Sequence, residues 1–319
     1  MSEMQPLPIA TPPAMLEVNQ VSPSLTSSTS EGHPAPVQNA SLPKVPETLI
    51  PSSPISPTLS GGVIERPEYP RISVVIPTRN EAANLPHVLP RIPAIIAEVI
   101  LVDGHSTDET IEVAQQLLPG IRVIEQRGKG KGNAVSAGLE IATGDIIVLL
   151  DADGSADPQE IPTFVEVLLA GNDFAKGSRF AKGGGSNDIT MLRRFGNHGL
   201  CGLVNILFGT RFSDLCYGYN AFWKHCLDYV AIDSDGFEVE TLINIRMHEA
   251  GLKISEVPSF EYQRIHGTSN LNIFRDGWLV LKTILRERKR KPSLAPQPLQ
   301  VEPVISAVEH MSKSEEIVL

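Results

Sequence analysis

The chain has 319 residues and a net charge of −10, an acidity that excludes a general nucleic-acid binder, which needs a basic field, while leaving room for a local basic patch. Its three cysteines, Cys201, Cys216 and Cys226, form no CxxC pair, which argues against a disulfide framework or a zinc site and fits a reducing compartment. No apolar run approaches the ~20 residues that span a bilayer, and the N-terminus lacks the pattern of a secretory signal.

Residues 1–66 hold twelve of the 26 prolines, with no hydrophobic period and no aromatic residue. Such a segment cannot bury enough surface to offset the entropy of ordering, so a disordered arm is predicted. Residues 292–319 are again polar and proline-bearing, and predict a flexible tail with room for a short helix near Val308. About 225 residues, 67–291, remain for one α/β domain.

In chain order, residues 72–76 read as a first strand, followed by a helix with Asn84 as N-cap and Pro86 in its first turn. Residues 98–102 form the second strand, and a helix capped by Ser106 or Thr107 runs to about Leu118. A third strand spans 121–125. The glycine-rich turn 128–132 opens a helix over 133–142, and residues 145–150 give a strand apolar enough to be buried on both faces. This alternation predicts a parallel sheet with right-handed crossovers, with Asn80-Glu81, Asp103 and Asp151-Asp153 at strand ends along one edge. Beyond Pro158 the pattern is mixed. A helix to about Ala170 is followed by a strand at 174–180 and by a loop, 182–188, too glycine-rich to be rigid, which either closes over an acceptor or serves as spacer. An amphipathic helix over 191–208, a turn into a strand at 214–222, a helix over 237–250, one or two strands over 252–262 and a final helix over 273–285 with a basic end complete the chain.

Open α/β sheets bind ligands outside the carboxyl ends of their strands. Asp151 and Asp153 alternate with one small residue, so in extended backbone both carboxylates leave the same face. A hard divalent cation carrying a phosphate-bearing substrate is the economical occupant, since Mg²⁺ is usually held by one or two carboxylates with phosphate and water completing its shell; a pair of solvated turn aspartates is the plainer reading. Asp103 and Glu81 suit a ribose diol or a base edge, because a carboxylate accepts two hydrogen bonds at once. Lys129 and Lys131, beside a helix N-terminus, suit phosphate oxygens or else form a solvated basic turn.

The order of these motifs, from Ser73-Val74-Val75-Ile76-Pro77 with Asn80-Glu81, through Asp103-Gly104, Gly128-Lys129-Gly130, Asp151-Ala152-Asp153 and Gly177-Ser178-Arg179, to Glu256-Val257-Pro258 with Arg264 and Gly267, resembles the family 2 glycosyltransferases of GT-A fold. Within them it is most similar to the dolichol-phosphate mannose synthase and polyprenyl-phosphate glycosyltransferase branch, over about residues 71–285. The resemblance implies a Rossmann-like, mostly parallel sheet with a mixed acceptor half. It also implies that Pro77, Arg79, Glu81 and Asp103 line the base and ribose pocket, with Lys129, Lys131 and Arg179 among the donor-binding residues. Asp151 and Asp153 would hold Mg²⁺ or Mn²⁺ on the diphosphate, and Arg179 and Arg264 would clamp donor and acceptor phosphates. The sequence departs from its relatives at Asn270, where they place a lysine six residues after the arginine.

A phosphate acceptor is already ionised and needs no general base, whereas a hydroxyl acceptor wants a carboxylate in reach. Asp214, Glu238 and Glu240 are candidates, with Asp214 and Glu240 favoured by family position and a capping or ion-pair role as the alternative for each. His266 is a candidate phosphate contact. The resemblance therefore implies transfer of a sugar from a UDP- or GDP-hexose to a polyprenyl phosphate, with inversion. The same donor chemistry on a soluble phosphorylated three-carbon acid, an Asp-based phosphohydrolase, and a nucleotide binder without turnover are the alternatives. The basic final helix suits either an anionic membrane surface or a helix packed on the core with a solvated end, placing the chain in the cytoplasm or on the cytoplasmic face of a membrane.

Overall fold

The computed structural model describes residues 67, 69–269 and 271–290. The predicted arm, the tail and Asn270 lie outside the described residues. The first half alternates as expected: β1 (Ile72–Thr78), α1 (Leu85–Val88), β2 (Glu98–Asp103), α2 (Thr110–Leu117), β3 (Arg122–Glu125), α3 (Lys131–Ile141) and β4 (Ile146–Leu149). The second half contains α4 (Ile161–Leu169), β5 (Phe174–Ser178), β6 (Gly185–Ser186), α5 (Met191–Phe208), β7 (Asn220–Trp223), α6 (Val239–Glu249), β8 (Ile254–Pro258), β9 (Phe260–Glu261) and α7 (Ile273–Lys289).

Seven strands form one sheet in the order β3-β2-β1-β4-β7-β5-β8. Every pair is parallel except those of β7, which runs antiparallel to both β4 and β5. All four residues of β4 are buried, as a continuous run of branched side chains at mid-sheet requires. Register brings Thr78 opposite Asp103 and Val75 opposite Leu149, so the carboxyl ends of β1, β2 and β4 lie side by side. A second, smaller core joins Cys201 and Val204 of α5, Ile245 of α6, and Val280 and Ile284 of α7.

Three local expectations are corrected. The helix after β1 is a single turn, because Pro90 and Pro93 follow at once, and Asn84 makes no capping bond; its amide goes to Glu81 and to the His266 carbonyl. α2 starts at Thr110 and not at Ser106 or Thr107, whose groups bond Asn80 across the turn. The glycine-rich loop is fastened, with Gly185 N–H donating to Ser259 O (3.1 Å) and Asn187 N–H to Glu261 O (2.8 Å), while β6 pairs with β9.

Candidate active site

β4 ends at Leu149, so Asp151 and Asp153 stand on a turn and not on extended backbone. Both still line one cavity of about 530 Å³, but their carboxylates meet different cations. Lys131 Nζ lies 2.6 Å from Asp151 and 2.7 Å from Glu240. Arg264 lies 2.7 Å from Asp153 and 2.9 Å from Glu81. Each cation is thus shared between a turn aspartate and a glutamate from elsewhere in the fold.

Lys131 reaches its place because it is the first residue of α3. Gly130 before it has φ +94°, a left-handed conformation that glycine tolerates, and a Cβ there would meet Asp235 O at 2.2 Å. The same carbonyl accepts the Gly132 and Asn133 N–H groups, so the start of α3 gives part of its donor set to the protein and presents the Lys131 ammonium instead. Burial acts to lower the affinity of Lys131 for its proton, but Asp151 and Glu240 outweigh it and the group stays charged. Burial raises the Glu240 carboxyl above the ordinary range, with Lys131 opposing and Asp151 reinforcing the rise. Burial likewise raises Glu81, against the pull of Asn84 and Arg264.

A third shared cation closes the wall. Arg179, at the end of β5, makes paired bonds to Asp214 (2.7 and 3.0 Å) and to Glu261 (3.1 and 3.2 Å), and its guanidinium lies over the Tyr217 ring. Asp214 is fully buried; burial alone would raise its pKa, but the Arg179 bonds and charge hold it below the usual carboxylate range. It is not part of the cavity lining, so its expected place beside an acceptor hydroxyl is not what the fold provides. Its contact is Arg179, which it positions.

Among the expected site residues, Pro77, Arg79, Glu81, Lys131, Asp151, Asp153, Arg179, Glu240 and Arg264 are brought together around the cavity. Lys129 is exposed in the turn and away from the lining, since α3 begins two residues later. Glu238 sits outside the lining at the start of α6, and His266 engages Asn84 through its backbone N–H at 2.9 Å. Asp103 is buried beneath the edge. Its Oδ2 accepts the Ser106 N–H at 2.9 Å, while Oδ1 has no partner among the described residues. Beside it Gln126 lines the cavity with its Oε1 also unpartnered. Gln126 and Gly218 were not singled out by sequence reasoning. A Cβ on Gly218 would lie 2.6 Å from Lys131 Nζ, 2.8 Å from Glu240 Oε1 and 2.9 Å from Asp151 Oδ2, so only glycine lets that triad close. No spacing rule carries this signal; it comes from the fold.

The residues present fit a divalent ion bound together with a diphosphate. Of the carboxylates that line the cavity, Asp151 and Asp153 share one turn, and no group of three or more His, Cys, Asp or Glu among the described residues is placed to hold an ion, so phosphate and water oxygens must complete its shell.

Comparison with known proteins agrees with this geometry. The family model described as Glycosyl transferase family 2 matches residues 73–287. Glycosyltransferase AglJ of Haloferax volcanii is 31% identical over 221 residues, covering 68% of this chain and 72% of that protein. A dolichyl-phosphate hexose transferase of the same organism is 32% identical and covers 67% of this chain and 92% of that protein. A dolichol-phosphate mannosyltransferase of Pyrococcus furiosus is 32% identical over 63% of this chain, which spans only 59% of that relative's length. Among solved structures, glucosyl-3-phosphoglycerate synthase from Mycobacterium tuberculosis in complex with Mn²⁺, UDP and glucosyl-3-phosphoglycerate superposes with a TM-score of 0.55 at 23% identity, over 70% of this chain and 82% of that one. That likeness shows the fold.

Proposed function

The chain belongs to the family 2 glycosyltransferases and has their GT-A fold, and from that premise we propose that it transfers a hexose from a UDP- or GDP-sugar to a polyprenyl phosphate, with inversion at the anomeric carbon. The observation that carries this reading is the convergence of Asp151 and Asp153, from the end of the central strand, with Lys131, Arg179 and Arg264 in one cavity. Relatives named for dolichyl-phosphate transfer support the choice of acceptor.

Among the described residues the buried oxygens Asp103 Oδ1 and Gln126 Oε1 have no partner, and a base edge or ribose entering the cavity beside Gln126 would bring N–H or O–H donors to this edge. Asp151 and Asp153 would hold Mg²⁺ or Mn²⁺, which when bound stabilises the negative charge that develops on the departing nucleoside diphosphate. Lys131 and Arg264 change partners as the donor enters, passing from carboxylates to phosphate oxygens. Arg179 stays fixed by Asp214, Glu261 and the Cys216 carbonyl, which take all five of its N–H groups, so it holds the cavity wall in place and leaves an anionic acceptor to Lys131 and Arg264. An acceptor phosphate is already a nucleophile and asks nothing of a base.

A second reading rests on Glu240. It is a buried carboxyl with a raised pKa facing the same cavity, and such a group suits proton removal from a hydroxyl acceptor such as a phosphorylated three-carbon acid. Incubation with a radiolabelled nucleotide sugar and a polyprenyl phosphate, followed by organic extraction, separates the two. Label in the organic phase supports the lipid acceptor, and label that stays in an aqueous sugar conjugate overturns it.

A further inference from the structure

Residues 231–237, between β7 and α6, cross the start of α3 as a strap fastened at two places. Its middle is held by α3. Asp235 O accepts the Gly132 and Asn133 N–H groups at 2.8 and 3.3 Å, Asp235 Oδ1 accepts Asn133 Nδ2 at 3.2 Å, and Ile232 O accepts Ser136 Oγ at 3.3 Å. The approach is close. A Cβ at Gly132 would lie 2.0 Å from Ser234 O, so only glycine after Lys131 lets the strap lie there.

The beginning of the strap is held from the other side, by Arg246. This residue lies two turns along α6, is 5% exposed and is not part of the cavity lining. Its Nη1 donates to Ala231 O at 2.5 Å and lies 2.7 Å from Asp233 Oδ1, while Nε and Nη2 donate to Glu287 at 2.8 and 3.0 Å. An ion pair between α6 and α7 needs only the Glu287 side of this fork. The Ala231 and Asp233 side does something else: a planar guanidinium sends its N–H groups in set directions, so fixing one edge on Glu287 fixes where the other holds the strap.

The strap ends where the site begins. Phe237 lines the cavity, and Glu240, three residues on in the first turn of α6, lies 2.7 Å from Lys131 Nζ. Both partners of that contact are thus tied to one segment, Glu240 through the chain itself and Lys131 through its neighbour Gly132, which bonds Asp235. We propose that Arg246 is a positioning residue for the Lys131 ammonium, acting from outside the cavity through the strap. The hold of the strap on α3 stands on geometry alone; that Lys131 then meets a diphosphate rests on the transferase reading.

Arg246→Met with Glu287→Met tests this in the full chain. It removes both charges together and puts apolar side chains of similar volume in their place, so the body stays folded while the strap loses its fastening. Hydrogen exchange reads the strap directly: amides at the start of α3 should exchange roughly tenfold faster than in the wild type, with those of β4 unchanged. Calorimetry with uridine, guanosine, UDP and GDP reads the consequence. Affinity for the cognate diphosphate should fall roughly tenfold, while affinity for its nucleoside, which has no phosphate to offer Lys131, should hold. Gly132→Ala leaves the ion pair intact and displaces the strap from the α3 side. It should give the same two results although alanine is the better helix residue. Unchanged exchange at the start of α3 overturns the proposal. So does equal acceleration in β4, or an equal loss of nucleoside and diphosphate affinity, since either would mean that Arg246 only holds the fold together. A wild-type chain that binds none of the four ligands counts against the transferase reading, and the exchange result then decides the strap by itself.

Discussion

Lys131 and Arg264 already occupy the carboxylates that a divalent ion would share, and this has a measurable cost. Removing one positive charge a few ångströms from Asp153 leaves it and Glu81 uncompensated, so Arg264→Gln should tighten the binding of Mn²⁺ alone by roughly tenfold. Electron paramagnetic resonance of free Mn²⁺ reads this without turnover, and unchanged affinity would show that the pairing does not compete with metal. Asp151→Asn and Asp153→Asn should each lower kcat/KM by roughly a hundredfold or more. Gly218→Ala is the subtler test: its methyl group must push Lys131, Glu240 or Asp151 aside, so kcat/KM should fall by roughly tenfold or more while the melting temperature moves little. A wild-type rate in this variant would mean that the triad is not needed in its observed form. The two aspartates were legible in the sequence because a strand of branched residues points at them. Gly218 was not, since its meaning depends on three side chains that come from α3, the β4 turn and α6.

At the scale of elements, the helices that hold the cavity walls are joined by buried ion pairs. Arg179 and Asp214 couple β5 to the approach to β7, and Arg246 and Glu287 couple α6 to α7. Asp214→Asn leaves a buried guanidinium with Glu261 as its remaining acid, so a loss of about 3 kcal/mol in chemical unfolding is expected. Glu287 gives a pH signature. Burial would raise its pKa, but Arg246 outweighs burial and holds it below the ordinary glutamate value. A depressed folded-state pKa contributes stability above the unfolded value, which is lost as pH falls below it. The melting temperature should therefore hold near neutrality and fall below about pH 4.5, and Glu287→Gln should lower it at about pH 7 while flattening the acid limb. An acid limb as steep in the variant as in the wild type would assign that limb to other carboxylates. α5 was predicted with its observed bounds because a 3.6-residue period follows Thr190, whose hydroxyl caps the Arg193 N–H. α2 was predicted to start too early, because the bonds joining Asn80, Ser106 and Thr107 override local helix preference, and the cap expected of Asn84 is absent because its amide serves Glu81 and the His266 carbonyl. The antiparallel run of β7 was hidden, since a short apolar strand carries no mark of its direction.

For the molecule as a whole, the legible part was the alternation of strand and helix through β4, which fixes where a ligand must lie: across the adjoining ends of β1, β2 and β4. The second half was read as mixed but not placed, because its order in the sheet depends on long-range pairing. Such a layout makes the ligand a further tie between the ends of three strands, so donor binding should stabilise the whole body. At a nucleotide concentration of about a hundred times Kd the gain is about 2.7 kcal/mol. For a body of this size that is roughly 5–10 °C in melting temperature. The two halves of the site should separate in this measurement. Asp103→Asn replaces the unpartnered acceptor beside Gln126 with an amide of mixed character, and should weaken the shift given by nucleotide without metal. Asp153→Asn should keep that shift and lose the further increment from Mn²⁺. Running UDP and GDP side by side then identifies the base, since only the cognate edge satisfies both buried oxygens. Equal shifts from the two nucleotides, unaltered by Asp103→Asn, would mean that the base is held elsewhere and that the edge beside β2 serves the fold alone.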